Sequence, residues 1–114
     1  MTFTEALQHF DAAVALVDGL QRKGKSMPYT GDNERMFGLV NKAGEIGVRL
    51  SKEEQNAFVA EYPNNGIYKS YGAVMKDYIH LPDSLVKDSE KLAFYLQKSW
   101  DYIITLPPKP SKKK

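Results

Sequence analysis

The chain has few residues that could carry bond-making chemistry. Two histidines are its only imidazoles, and there is no cysteine. Disulfides, thiolate metal sites and cysteine nucleophiles are therefore excluded. His9 follows Glu5 by one helical turn, the spacing of an ordinary surface pair. His80 falls in a strand-like stretch, where it reads either as a half-buried, hydrogen-bonded side chain or as a site residue with Lys76 and Asp77 nearby. No further ligands stand at metal-binding distances from either imidazole, and no serine occupies a G-x-S-x-G elbow. The carboxylates Glu53 and Glu54, and likewise Asp11 and Asp18, fall on helix faces that read as solvated. The expectation is a non-enzymatic protein with no catalytic residue, no metal and no cofactor.

Seven tyrosines are more suggestive, with Tyr29, Tyr68, Tyr71 and Tyr78 gathered in the strand-rich middle of the chain. Their rings pack while their hydroxyls need partners, which suits a core, a pocket or an interface. A hairpin from Met36 to Leu50 supplies further candidates. If its loop has two or four residues, Phe37 and Leu39 share a face with Ile46, Val48 and Leu50. Met36, Gly38, Val40, Gly47 and Arg49 then occupy the opposite face. The two glycines there either permit twist or a bulge, or let a backbone or ligand approach. Met75, Lys76 and Tyr78 complete the candidate binding or interface set.

These residues are positioned by elements with clear signatures. Phe3, Leu7, Phe10, Val14 and Val17 make an amphipathic first helix, opened by a Thr2/Glu5 capping box and stopped near Gly24, with Gly19 weakening its last turn. Ser26 to Tyr29 reads as a short edge strand limited by Pro28, and Thr30 to Asn33 as a turn. After the hairpin, Ser51 and Glu54 form a second capping box and open a helix through Tyr62, ended by Pro63-Asn64-Asn65-Gly66. Ile67 to Lys69 and, after a break at Gly72, Val74 to Leu81 read as strands. Alternation in the latter sets Met75, Ile79 and Leu81 against Val74, Tyr78 and His80. Pro82 to Ser84 reads as a turn, and a last helix from Asp88 carries Leu92, Leu96, Ile103 and Leu106, widened by Ala93 and Trp100 and ended by Pro107-Pro108.

Composition agrees with an ordinary folded domain: of 114 residues, 42% are hydrophobic and 26% charged. A chain of this length buries about two-thirds of its unfolded surface. Four of the 16 basic residues are Lys109, Lys112, Lys113 and Lys114, which leaves 12 against 14 acidic residues in the rest. The body is thus slightly acidic, which disfavours a broad phosphate-binding surface; nucleic acid is expected only weakly, through the lysine tail. No apolar run approaches a membrane span and no positively charged leader opens the sequence, so a cytoplasmic protein without membrane contact is expected. Residues 1–108 read as a single domain and 109–114 as a basic disordered tail.

Lys25-Ser26-Met27-Pro28-Tyr29-Thr30, Met36-Phe37-Gly38, Gly47-Val48-Arg49-Leu50-Ser51, Tyr71 to Tyr78 and Leu106-Pro107-Pro108-Lys109-Pro110 together resemble, in order and spacing, the TfoX/Sxy N-terminal domain-like family. The resemblance implies an α+β fold of order α-β3-α-β2-α, similar to secretion chaperone-like folds, and a tendency to form homodimers. Known members regulate natural competence and carry a further C-terminal domain, so this sequence resembles a stand-alone branch. It brings no catalytic residues with it. A regulatory or protein-interaction module is the leading expectation, and a binder of a small anionic molecule on the tyrosine-rich sheet the alternative.

Overall fold

The computed structural model describes residues 1–33, 35–63, 65, 68–70 and 73–107. Helix α1, Phe3–Leu16, opens as expected: the Thr2 hydroxyl accepts from the Glu5 N–H at 3.1 Å, and the Glu5 carboxylate accepts from the Thr2 N–H at 2.8 Å. Ala6, Phe10, Ala13 and Val14 form its buried stripe. The helix ends well before Gly24. The Val17 N–H bonds back to Val14, and Gly19, at φ 80°, lies beyond the last turn instead of within it.

Strand β1, Tyr29–Asp32, occupies the stretch that reads as a turn, displaced by about three residues from the expected edge strand. Strands β2, Arg35–Val40, and β3, Ile46–Arg49, form the hairpin with an unexpected register. Gly38 faces Val48 and Val40 faces Ile46. The loop is neither two nor four residues but three, with Asn41 bonded to Glu45 across it and Gly44 at φ 81°. An odd loop of this kind needs a left-handed residue at its end, and it exchanges the faces of β2 next to the loop relative to β3, whose Ile46 and Val48 keep theirs. Val40, not Leu39, therefore joins Ile46 and Val48 in the main core. A second irregularity follows between Thr30 and Gly31: Thr30 pairs with Gly38 but Gly31 with Met36, leaving Phe37 unopposed. At such a bulge the alternation slips, and Phe37 turns back to stack on Trp100, ring centroids 6.1 Å apart.

Helix α2, Lys52–Glu61, is capped by Ser51, whose hydroxyl accepts from the Glu54 N–H at 3.3 Å. Next come two two-residue strands, β4 (Lys69–Ser70) and β5 (Ala73–Val74), paired with each other. The continuous strand expected over Val74–Leu81 is broken by a turn at Lys76-Asp77, with Asp77 at φ 70°. Strand β6, Tyr78–His80, then joins the main sheet, giving the antiparallel order β1-β2-β3-β6. The break also removes Met75 from the face of Ile79 and Leu81. The expected turn at Pro82–Ser84 leads into a short helix α3, Asp83–Val86, which buries Leu85 and Val86. Helix α4, Ser89–Ile103, starts where expected, with the Asp88 carboxylate accepting from the Lys91 N–H at 3.2 Å, and buries Leu92, Ala93, Leu96, Ser99 and Ile103.

The architecture is α+β. Three strands and one short helix, in place of two strands alone, connect α2 to α4. Helices α1 and α4 pack on one face of the sheet, with α3 against both helices, and the core between them holds Phe10, Val40, Val48, Ile79 and Leu96. A second, smaller apolar layer lies on the other face: Leu39, Tyr68 and Tyr78 are buried there, with Tyr29, Met36 and Met75 packed against them.

Candidate functional site

The expected glycine-bearing face does not exist as one surface, because the three-residue loop and the bulge divide it. Gly38 and Val40 lie in the main core. A Cβ at Gly38 would stand 2.6 Å from the Thr30 hydroxyl and 2.8 Å from Leu96, so this glycine lets α4 approach the sheet. Gly47 lies on the other face, beneath the Tyr68 ring, where a Cβ would stand 2.6 Å from ring carbons. Tyr68 is 1% exposed and its hydroxyl is 3.1 Å from the carbonyls of Leu39 and Glu45. Asn41 ties the same segment down by donating to the Lys69 carbonyl at 2.7 Å. The chain thus covers Gly47 with its own tyrosine.

Tyr78 is buried beside Tyr68, its ring 6.1 Å away, and donates its hydroxyl to the Met36 carbonyl at 2.7 Å. Arg49 is half-buried, with one terminal nitrogen 3.8 Å from Asp77 and its Nε enclosed without a hydrogen-bond partner among the described residues. The Arg49 carbonyl accepts from the buried Ser99 hydroxyl. Met75 is half-buried and Lys76 exposed. His80 lies 3.9 Å from Glu45 and 6.4 Å from the Tyr68 ring. Asp77 faces Arg49 while His80 faces Glu45, so the Lys76, Asp77 and His80 group is not brought together. Glu5, expected beside His9, is committed to the Thr2 cap, whose N–H and hydroxyl hold its carboxyl below the ordinary value. Tyr71 and the Lys109–Lys114 tail lie outside the described residues.

The tyrosine layer opens where β1 meets β2. A cleft of about 410 Å³ there is lined by Lys23, Tyr29, Asp32, Asn33, Arg35 and Met36, together with Gly31. Lys23 and Tyr29 exchange backbone hydrogen bonds, at 2.7 and 2.9 Å, which extends the edge of the sheet toward the cleft. Arg35 donates to the carbonyls of Asn33 and Pro107, at 3.3 and 2.7 Å. Asp32 accepts from the Trp100 indole at 2.7 Å and from the Asn33 N–H at 2.7 Å, and these bonds, the indole first, lower its carboxyl pKa. Asn33, at φ 51°, donates to the carbonyls of Ile103 and Leu106 and so closes the end of α4. Lys23 is exposed and Arg35 half-buried. The cleft therefore offers two cations, a phenol and a thioether to a ligand, with one carboxylate already taken up by indole.

Sequence reasoning singled out Tyr29 and Met36 but not Lys23, Arg35 or Asn33, because the segment read as a turn is a strand. The stretch Gly19–Ser26 also carries a signal: its order G-x-x-x-x-G-K-S is that of a phosphate-binding loop. Such a loop works by leaving a strand and opening a helix. Here it leaves α1 and leads to β1. Arg22 within it turns back onto Asp11, at 2.9 and 3.2 Å, and onto the Gly24 carbonyl, at 2.9 Å. The motif therefore lacks its helix N-terminus. Among the described residues no cluster of three or more histidine or carboxylate side chains is placed to hold a metal, and no helix is long and apolar enough to cross a membrane. Comparisons with protein-family models, with curated proteins and with solved structures returned no match.

Proposed function

We propose that the chain is a non-enzymatic, cytoplasmic regulatory or protein-interaction module of the TfoX N-terminal-like kind, and that it recognises an acidic segment of a partner at the β1–β2 cleft. The observation that carries this reading is the open end of the tyrosine layer: Tyr29 and Met36 supply apolar contact where Lys23 and Arg35 supply positive charge. The titratable side chains support it too, since those with partners form separate pairs, Arg22 with Asp11, Arg49 with Asp77, His80 with Glu45 and Lys98 with Glu54. Chemistry needs such groups to converge. The same cleft, at about 410 Å³, also falls in the range of small-molecule pockets, which favours a small anionic ligand as the second reading.

A panel of short peptides, each with two glutamates flanking one aromatic residue, separates these readings when titrated against the labelled protein. Amide shifts confined to Lys23, Tyr29, Arg35 and Met36, lost in Lys23→Glu, are the expected outcome. Silence toward the panel together with a melting temperature raised by a small organic anion would favour the second reading. Homodimerisation belongs to the same proposal and is supported by the exposed apolar side chains Leu16, Val59, Val74, Phe94 and Ile104. Light scattering over a concentration series tests it, and a strict monomer at high micromolar concentration would count against it.

A further inference from the structure

A second surface lies between α2 and the outer side of α4. A cleft of about 190 Å³ is walled there by the rings of Phe58, Phe94 and Tyr95, with Glu54 and Glu61 at its margin. Tyr95 meets Phe58 and Phe94 edge-on, at centroid distances of 5.5 and 5.4 Å, yet Phe94 stays 59% exposed. The adjoining cleft, of about 540 Å³, continues along α4 past Glu53 and Asp101. Among the described residues that line the two clefts, Lys98 is the one cation, and it shows how the groove holds positive charge. Its ammonium sits 3.0 Å from Glu54 and 5.4 Å from the centre of the Phe94 ring, between a carboxylate and an aromatic face. Glu53, Glu61 and Asp101 have no such counter-ion among the described residues. Asp101 accepts the neutral Gln97 amide, at 2.8 Å.

This combination selects the chemistry of an occupant. Negative charge alone attracts any cation, and rings alone attract any apolar group. The two together favour arginine, whose flat, weakly hydrated guanidinium stacks on an aromatic face while its fork donates to a carboxylate. Lysine, a compact and strongly hydrated charge, gains less from the rings. Burial, and after it the charge of Glu61, raise the pKa of the Tyr95 phenol, so the carboxylate already acts on the ring wall. We propose that the α2–α4 groove binds an extended, arginine-bearing segment of a partner protein, with one guanidinium on the Phe94 and Tyr95 rings beside Glu61 and a second at Asp101 and Glu53. Spacing suits two arginines at alternate positions. Phe94 and Asp101 are seven residues apart along α4, roughly 10 Å at about 1.5 Å per residue. Alternate side chains of an extended segment share a face about 6.6 Å apart, and the length of two arginine side chains covers the difference. The preference is opposite to that proposed for the β1–β2 cleft, and it stands whether or not that cleft binds an acidic segment.

The test titrates the full chain, labelled for nuclear magnetic resonance, with the capped peptide Gly-Arg-Gly-Arg-Gly and with its lysine counterpart. Saturable amide shifts at Glu53, Glu54, Phe94, Lys98 and Asp101, with Lys23, Tyr29 and Arg35 unmoved, are the expected outcome. The lysine peptide should bind at least about fivefold more weakly. Phe94→Ala, at a position exposed enough to leave the core intact, should remove that preference for arginine. Lys98→Met should tighten the arginine peptide severalfold, because it frees Glu54 and the Phe94 ring, a gain that damage to the fold would not give. Equal affinity for the two peptides, or a preference unchanged in Phe94→Ala, would reduce the groove to a diffuse negative field and overturn the proposal. Failure to saturate at millimolar peptide would overturn it as well. So would groove amides that shift on dilution of the protein alone, which would assign the surface to a second copy.

Discussion

Tyr68 shows how one residue decides the character of a surface. The sequence marks Gly47 as a place where something approaches the sheet closely, and marks Tyr68 as a ring whose hydroxyl needs a partner. Only the three-dimensional arrangement joins the two, since they are separated by a helix and belong to different layers of reasoning. Because the ring is held at its far end by the carbonyls of Leu39 and Glu45, it cannot withdraw from an added methyl without losing those contacts. Gly47→Ala should therefore destabilise the fold by about 1–3 kcal/mol, the usual cost of overpacking, seen as a lower urea midpoint at unchanged slope. An unaltered midpoint would mean that Tyr68 does not rest on Gly47. The cleft residues Lys23 and Arg35 were not legible at this scale, because a basic side chain in an irregular stretch carries no mark of what it faces.

At the scale of elements, the features read correctly are those governed by local rules: the capping box at Thr2, the cap position at Ser51, the start of α4 at Asp88, and the periodic stripes of α1 and α4. Periodicity needs windows of about 11–18 residues, so β4, β5 and α3, of two to four residues, fall below its reach. In the hairpin the expected faces of Phe37, Ile46, Val48 and Leu50 hold, whereas Gly38, Leu39 and Val40 on β2 exchange faces, because loop parity is a single-residue event that the sequence pattern does not reveal and the Phe37 bulge is a second one. Helix α2 invites a test of its own. Phe58 is its only buried residue, meeting Tyr62 and Tyr95 at ring distances of 4.7 and 5.5 Å. Phe58→Ala should release α2 locally: its amides should exchange near the unprotected rate while β2 and β3 stay protected, and the global stability should fall by less than the roughly 3–5 kcal/mol typical of a core Phe→Ala. A uniform loss of protection would make α2 an integral part of the cooperative unit.

Across the whole molecule, the β1–β2 turn clasps the end of α4 through three contacts: Asp32 to the Trp100 indole, Asn33 to the carbonyls of Ile103 and Leu106, and Arg35 to that of Pro107. Asp32 makes this clasp sensitive to acid. Its pKa is lowered in the folded protein, chiefly by the indole bond, so its contribution is complete above the ordinary value of 3.8 and is lost as pH falls through the lowered native value. Trp100 is the single tryptophan. Its fluorescence should accordingly change below the ordinary aspartate range before the fold is lost, and Asp32→Asn should remove that step. A step that persists in the asparagine variant would place its origin elsewhere. The three-residue loop closed by Gly44 has a consequence for how such a chain can vary in length. Removing or inserting one residue there would present Arg49 to the helices and Val48 to Tyr68, so the hairpin can be lengthened or shortened only by pairs of residues, a constraint on insertions and deletions that no substitution at the same positions would reveal.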